Sequence, residues 1–175
     1  MEILLEKVFR SIRADDLTSY VSEFGRGFLV ADPEMHIEIP SAPNVTMRID
    51  RKALLSQTVD EFANDTPVYT LQRKPSSVYS FISIGRTDNC DVALPNQSVS
   101  KLHALIREER DGVFTVEDAK SANGTFVNGN PAPVRNRAET LELKSGDRIR
   151  FGNLEFQFYT IEGLKDYLDN TKTLA

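Results

Sequence analysis

Three short clusters in the sequence combine hydroxyl, amide or cationic side chains with small, turn-forming residues. The clusters are Ile84-Gly85-Arg86, Ser98–His103 and Ser121–Thr125. The strongest hydrogen-bond donors in them are the side chains of Arg86, Ser100, Lys101 and Asn123. A planar guanidinium, an ammonium, a hydroxyl and a carboxamide together suit a dianionic group that is rich in oxygen. The clusters therefore predict a site for one small anion if the fold brings them together.

The sequence from Pro67 onward alternates short apolar runs with turn residues at intervals of about eight to twelve residues, which is typical of an antiparallel β-sandwich. The predicted strands are Val68–Gln72, Phe81–Gly85, Ala104–Arg107, Phe114–Glu117, Thr140–Leu143, Arg148–Phe151 and Leu154–Tyr159. Binding residues are often found in loops held by a rigid scaffold. Because the three clusters fall between predicted strands, we expect them to meet at one end of the sandwich.

The first 66 residues have a different pattern. Apolar residues between Ile3 and Phe24 recur at helical spacing, Met35 to Ile39 alternate as in a strand, and a helix is predicted from Arg51 to about Phe62. We predict a mixed helical appendage that is either docked on the sandwich or an interface for a second protein.

A short helix is also predicted at the C-terminus, from Ile161 to about Asn170, with Leu164, Tyr167 and Leu168 facing inward. The predicted organisation is an appendage of unknown role at 1–66, a sandwich at 67–160, and a helix with a tail at 161–175.

Composition restricts the function further. A net charge of -5 and a pI near 5.1 disfavour nucleic-acid binding, which requires a broad basic surface. Charged residues interrupt the apolar run at the N-terminus, so we expect a cytoplasmic protein without membrane insertion. Cys90 is the only cysteine, which excludes an intramolecular disulfide. We expect neither a cofactor nor a metal.

A wider set of residues resembles the forkhead-associated (FHA) family in type, order and spacing over about Pro67 to Tyr159. The matching residues are Gly85-Arg86, Ser100, His103, Asn123-Gly124-Thr125, Gly146-Asp147 and Gly152. The resemblance implies a mainly β fold with a two-sheet antiparallel β-sandwich of FHA type. It implies a non-catalytic module that binds a threonine-phosphorylated protein or peptide and couples an upstream Ser/Thr protein kinase to complex assembly.

The resemblance also implies roles for single residues. Arg86 is expected to pair with the phosphate, Ser100 to bind a phosphate oxygen, and Lys101 to add a further contact. Asn123 is expected to hold the peptide backbone and fix its register. Structural support of the site is expected from Gly85, His103, Gly124 and Thr125.

Two further features of the resemblance concern affinity and specificity. Many family members carry threonine or serine where this chain has Ala122, so one phosphate contact is missing unless Ser121 or Lys101 compensates. The side chain three residues after the phosphothreonine often sets specificity, and three residues are the expected readers here: Ser98, Val127 and Asn128.

Alternative interpretations remain at this stage. The sandwich could assemble complexes without phosphate, with Ala122 as the sign of a weakened pocket, and Asn128-Gly129 could simply form a tight hairpin turn. Catalysis by Ser100 and His103, or metal binding by His103 and Asp118, is disfavoured. A nucleophile needs an oriented base and an oxyanion hole, and a zinc site needs three or four ligands; the other histidine, His36, lies in the predicted appendage.

Overall fold

The computed structural model describes residues 2–4, 21, 24–32, 67–136 and 139–172 of the 175-residue chain. The strands in these ranges are β1 Glu2–Leu4, β2 Gly27–Ala31, β3 Pro67–Thr70, β4 Ile82–Gly85, β5 Val92–Ala93, β6 Ala104–Glu108, β7 Phe114–Asp118, β8 Thr125–Val127, β9 Asn130–Pro131, β10 Leu141–Leu143, β11 Arg148–Phe151 and β12 Leu154–Thr160. A 3₁₀ turn, Arg110–Gly112, joins β6 to β7, and helix α1, Ile161–Lys172, follows β12.

The strands form two sheets. The larger sheet has the order β1-β3-β2-β12-β11-β8-β9, and the smaller sheet has the order β10-β7-β6-β4-β5. Neighbouring strands are antiparallel except for the parallel pair β4 and β5. The predicted mainly β architecture with two sheets and a short C-terminal helix is confirmed, and the seven predicted strands are present with bounds within two residues of those expected.

The larger sheet also contains strands from the segment that precedes the predicted boundary at residue 67. Strand β2 pairs with both β12 and β3, and β1 pairs with β3. The helical interpretation of Ile3 to Phe24 is therefore wrong at Ile3 and Leu4, which are extended, whereas Val21 and Phe24 are helical. Most of that predicted helix, the strand predicted around Met35 to Ile39 and the helix predicted from Arg51 to Phe62 lie outside the described residues.

Two apolar clusters lie on opposite faces of the larger sheet. Leu29 and Ala31 of β2 belong to the main core between the sheets, whereas Phe28 and Val30 belong to a second cluster that includes Leu164 of α1. Every residue of β2 is therefore buried. Fully burying an apolar side chain of this size stabilises the fold by about 1.5–3 kcal/mol, so both faces contribute to holding β2 between β3 and β12.

Within the described ranges, no helix is both long enough and apolar enough to cross a membrane.

Candidate functional site

Backbone and side-chain hydrogen bonds join the three predicted clusters at one end of the sandwich. The backbone N–H of Arg86 donates to the carbonyl oxygen of Ser100 at 2.9 Å. The backbone N–H of Ala122 donates to the hydroxyl oxygen of Ser100 at 3.0 Å. The amide nitrogen of Asn123 donates to the carbonyl oxygen of Ser98 at 2.7 Å. The structure therefore brings together loops that are far apart in sequence, with Ser98 to Ser100 at their centre.

His103 lies buried beneath these loops and connects two of them. Its Nδ1 accepts a hydrogen bond from the backbone N–H of Ser100 at 2.9 Å, and its Nε2 lies 3.1 Å from the carbonyl oxygen of Gly124. Since the first partner can only donate and the second can only accept, the proton is on Nε2 and the imidazole is neutral. Burial lowers the pKa of His103 below 6.5. The ring also packs edge-on against Phe151, with the centroids 5.9 Å apart.

This arrangement gives His103 no role as the base of a serine nucleophile. Its Nδ1 contacts the backbone of Ser100 and not the hydroxyl, and its Nε2 is directed at a carbonyl group. A catalytic pair requires a hydrogen bond between the base and the nucleophilic oxygen. In the part of the chain that the structure describes, no group of three or more His, Cys, Asp or Glu side chains is arranged to hold a metal.

Asp118 organises the third loop. Its carboxylate is buried and accepts hydrogen bonds from the N–H of Ser121 at 2.8 Å, the hydroxyl of Ser121 at 2.6 Å and the hydroxyl of Thr125 at 2.8 Å. Burial alone would raise the pKa of Asp118, but these hydrogen bonds outweigh it and hold the pKa below 3.8. From the sequence, Asp118 was considered only as a disfavoured metal ligand, and its role in supporting the loop was missed. The Asp-x-x-Ser spacing, which favours side-chain turns, was the available signal.

Ser121 belongs to the support of the loop. Its hydroxyl donates to Asp118 and also accepts a hydrogen bond from the N–H of Gly124 at 3.0 Å. A hydroxyl has one donor hydrogen, so Ser121 cannot donate to a bound anion without breaking its bond to Asp118. The structure therefore does not favour Ser121 as the residue that compensates for Ala122.

The two cationic residues of the site, Arg86 and Lys101, are exposed, and neither side chain has a hydrogen bond or ion pair with another described residue. Both are held through their backbones. The carbonyl oxygen of Lys101 accepts hydrogen bonds from Thr87 and Cys90, each at 3.2 Å. A Cβ atom at Gly85 would overlap this carbonyl group, so glycine is required where the two loops touch. The side chains of Arg86 and Lys101 are therefore available to an anion.

The hydroxyl of Ser100 and the carboxamide of Asn123 keep hydrogen-bonding capacity for a ligand. Ser100 uses its oxygen to accept from Ala122, and its hydroxyl hydrogen can still be donated. Asn123 is exposed and uses one N–H for Ser98. Its carboxamide oxygen can accept a hydrogen bond from an N–H of a bound peptide.

Ser98 is tied to the β11–β12 hairpin. Its hydroxyl donates to Asn96 at 2.7 Å and accepts from the backbone N–H of Asn153 at 3.0 Å. A Cβ atom at Gly152, whose φ is +62°, would overlap the carbonyl of Ser98. Ser98 thus lies at the site, with its hydroxyl committed to holding two loops together.

The structure places the other two predicted specificity residues away from the three loops. Val127 is 5% exposed and belongs to the main core, because alternate residues of β8 face inward. Asn128 has a φ of +50° in the β8–β9 turn, and its side chain bonds to Asp147 and to the backbone N–H of Arg148. Four residues of extended chain separate Asn128 from Gly124, or roughly 13 Å at about 3.3 Å per residue. The turn interpretation of Asn128-Gly129 is thus supported.

A β-sandwich whose converging end loops present basic, hydroxyl and amide groups has the architecture of a ligand-recognition module. Comparison with known proteins gives its family. Residues 82–152 match the family described as the FHA domain. Residues 82–152 therefore belong to an FHA domain.

Three similar proteins illustrate the match. The chain is 30% identical over 108 residues to the glycogen accumulation regulator GarA of Mycolicibacterium smegmatis. The aligned region covers 58% of this chain and 64% of that protein. The chain is 40% identical over 79 residues to the oxoglutarate dehydrogenase inhibitor of Corynebacterium diphtheriae, and the aligned region covers 45% of this chain and 49% of that protein. A solved chain from a study of phosphothreonine-dependent FHA domain interactions is 30% identical, with a TM-score of 0.42, and the match covers 53% of this chain and 82% of that one. The chain thus spans between about half and two thirds of the length of the two curated relatives.

Proposed function

We propose that this chain is a non-catalytic module that binds phosphothreonine on a partner protein and thereby couples a Ser/Thr kinase to complex assembly. The observation that carries the proposal is the convergence of Arg86, Lys101, Ser100 and Asn123 on one loop surface braced by His103. His103, which is neutral, and Asp118, whose carboxylate already accepts three hydrogen bonds, support that surface. The exposed cations are available to bind the ligand.

The phosphate group matches the free donors. A phosphothreonine brings about -1.5 to -2 charges and three acceptor oxygens. In the proposed complex, Arg86 pairs with the phosphate through its guanidinium, Ser100 donates its hydroxyl hydrogen, and Lys101 adds an ammonium. Each charge-assisted hydrogen bond contributes roughly 1.5–3 kcal/mol. After ordering costs, we expect a dissociation constant of order micromolar, or about -8 kcal/mol.

Ala122 contributes only its backbone to this surface. Its N–H is used by Ser100, and its neighbour Ser121 is committed to Asp118. Lys101 is thus the residue that compensates for the missing hydroxyl in the proposed complex. Because its ammonium is a flexible point charge, it adds affinity with little geometric selectivity.

Asn123 fixes the register of the peptide in the proposed complex. Its amide nitrogen is already anchored to the carbonyl of Ser98, which orients the carboxamide oxygen. An oriented acceptor can take one backbone N–H of an extended peptide without further ordering. The phosphate contacts supply charge recognition, and Asn123 supplies alignment.

The named relatives support a regulatory role in place of an enzymatic one. One is a regulator of glycogen accumulation and the other an inhibitor of oxoglutarate dehydrogenase. By analogy, we infer that this chain acts by binding a cytoplasmic partner protein.

Fluorescence anisotropy with paired phosphorylated and unphosphorylated threonine peptides tests the proposal. Wild-type protein should bind only the phosphorylated member of a pair. Arg86→Ala should remove this difference and leave thermal unfolding unchanged, because Arg86 is exposed. Arg148→Ala is the matched control, since Arg148 is also exposed but lies at the other end of β11 from Gly152. Equal affinity of wild-type protein for both peptides would refute the proposal and favour a phosphate-independent scaffold.

A further inference from the structure

Two large apolar side chains that are exposed among the described residues are neighbours in the chain. Val78 is 88% exposed and Tyr79 is 48% exposed, and both lie in the irregular segment between β3 and β4. Exposed apolar residues that are scattered singly are ordinary, whereas a contiguous group marks an interaction site. The contacts of Tyr79 show that it belongs to such a group.

Tyr79 is held in place on the outer side of the smaller sheet. Its ring stacks on the ring of Phe81, with the centroids 4.7 Å apart and an angle of 13° between the planes. Its carbonyl oxygen accepts a hydrogen bond from the guanidinium of Arg73 at 2.7 Å. Ile82 faces the main core, so the preceding residue, Phe81, faces outward by the alternation of a strand. Tyr79 therefore covers Phe81 and leaves about half of its own surface open to solvent.

Guanidinium groups surround this aromatic pair. Those of Arg107 and Arg135 lie 5.5 and 5.3 Å from the ring centroid of Phe81, within the range of a cation–π interaction. Arg107 also pairs with Glu117 at 2.9 Å. The side chain of Arg135 has no hydrogen bond or ion pair with another described residue. With Arg73, the group carries three guanidiniums against one carboxylate, in a chain whose net charge is -5.

We name this group the arginine–aromatic patch; it consists of Arg73, Tyr79, Phe81, Arg107 and Arg135. Tyrosine and arginine are the residue types that dominate protein-binding hot spots. A ring that is already stacked loses little conformational entropy when a partner covers it. Because the excess charge of the patch is positive, carboxylates complement it. A nucleic acid would also bring its phosphates against the acidic remainder of the chain, so the charge balance favours an acidic protein segment.

We propose that the arginine–aromatic patch binds an acidic protein segment in which carboxylates flank an aliphatic side chain. The aliphatic side chain packs on the open surface of Tyr79, and the carboxylates pair with Arg73 and Arg135. Five residues separate Phe81 from Arg86 along β4, or roughly 16 Å at about 3.3 Å per residue. The patch is therefore a second site outside the phosphate-binding loops, and it allows one partner to be held at two points. Only this two-point binding rests on the proposed function.

Amide chemical-shift mapping of the full chain by NMR tests the patch without any phosphopeptide. The probe is the peptide Gly-Glu-Glu-Leu-Glu-Glu-Gly. The matched controls are Gly-Glu-Glu-Gly-Glu-Glu-Gly, which lacks the aliphatic side chain, and Gly-Lys-Lys-Leu-Lys-Lys-Gly, which has the opposite charge. The probe should shift the signals of Tyr79 and Phe81 in a saturable way, with a dissociation constant of order millimolar. Each control should bind about fivefold more weakly or worse, because it lacks one of the two complementary features.

Variants assign the binding to the patch. Tyr79→Ser removes the open ring and Arg135→Glu reverses the unpaired charge, so each should weaken binding of the leucine probe by about fivefold or more. Tyr79→Phe keeps the stacked ring and should bind as wild type does. Arg148→Glu is the matched charge control, since Arg148 is exposed on β11 of the larger sheet. Thermal unfolding identifies any variant that fails to fold, and Arg135→Glu leaves the aromatic stack in place if Tyr79→Ser does not fold.

A tethered probe tests whether one partner can hold both sites. A phosphothreonine peptide is joined at either end to Glu-Glu-Leu-Glu-Glu through a flexible Gly/Ser linker. A linker of about 12 residues spans about 17–21 Å, which matches the separation of the sites, whereas about two residues span only about 7–8 Å. The long linker should tighten binding by about threefold or more relative to the phosphopeptide alone. The short linker should not, and Arg135→Glu should remove the gain.

The outcomes separate this inference from the proposed function. No saturable shift at the patch with the leucine probe, equal shifts with the lysine control, or unchanged binding in both Tyr79→Ser and Arg135→Glu would each overturn the patch, whatever the phosphopeptides show. Shifts at the patch that depend on protein concentration without peptide would assign it to a second copy of the chain and overturn the acidic segment. Patch shifts without binding to any phosphopeptide would overturn the proposed function alone. Equal affinity with the long and short linkers would overturn two-point binding.

Discussion

His103→Phe tests whether a neutral histidine holds the proposed phosphate-binding loops together. Phenylalanine keeps an aromatic ring against Phe151 but provides no partner for the N–H of Ser100 or the carbonyl of Gly124. Each buried polar group left without a partner costs about 1–3 kcal/mol. Because loop relaxation recovers part of this cost, we expect the free energy of unfolding to fall by about 2–4 kcal/mol. Phosphopeptide affinity should fall as well, since Ser100 loses its anchor.

The pH dependence of stability gives this prediction a second, independent readout. Burial lowers the pKa of His103 in the folded protein below the value of 6.5 that holds for the unfolded chain. Between the lowered folded pKa and 6.5, the unfolded chain therefore binds more protons than the folded protein does. Stability is therefore fully present above about pH 6.5 and is lost as the pH falls towards the lower folded pKa. Protonation of Nδ1 would place two N–H groups against each other.

Urea unfolding from about pH 7.5 to about pH 5 measures this effect. The decline in stability should be present in wild-type protein and reduced in His103→Phe. His36→Phe is the control, because the chain has only two histidines. A free energy of unfolding that changes by less than about 0.5 kcal/mol in His103→Phe, or an unchanged pH profile, would refute the assignment of His103 as the brace of these loops.

Two further predictions concern the loop surface and the core. Ala122→Thr should tighten phosphopeptide binding by about tenfold, because its hydroxyl adds one hydrogen bond to the phosphate; anisotropy titrations should show no such gain for Ala122→Val, which has the same shape without the hydroxyl. Phe28→Ala should lower the free energy of unfolding by about 3–5 kcal/mol, because Phe28 is fully buried beneath α1. Val113→Ala, at an exposed position, should change it by less than about 0.5 kcal/mol, and equal losses in urea unfolding would contradict the existence of a second core.

Local sequence signals predicted the elements that have one buried face. The strand from Arg148 to Phe151 and the part of β12 from Leu154 to Phe158 alternate between buried and partly exposed positions, and the sequence shows that alternation. Strand β2 lacks it, because both of its faces are covered, one by the smaller sheet and the other by α1. A continuous apolar run does not reveal a strand by its period, so β2 could not be predicted from spacing.

The candidate site likewise has features that the local sequence predicted and features that it did not. The types and spacing of Arg86, Ser100 and Asn123 predicted the convergence of three loops, since each cluster is a local motif. The role of Asp118 rests on contacts three and seven residues along the chain, so its signal was local and was missed. The position of Val127 depends on tertiary contacts, because Val127 is excluded from the surface where β8 pairs with β11 over the core.

The position of β2 determines how this protein can be divided experimentally. A recombinant fragment that begins at Pro67 would include the family match at 82–152, yet it would lack the strand that pairs with both β3 and β12. Its β12 would become a long edge strand with unpaired backbone groups, and such edges promote aggregation. We therefore expect expression of these loops in soluble form to depend on residues that lie well upstream of them, so that a folded fragment must include β2.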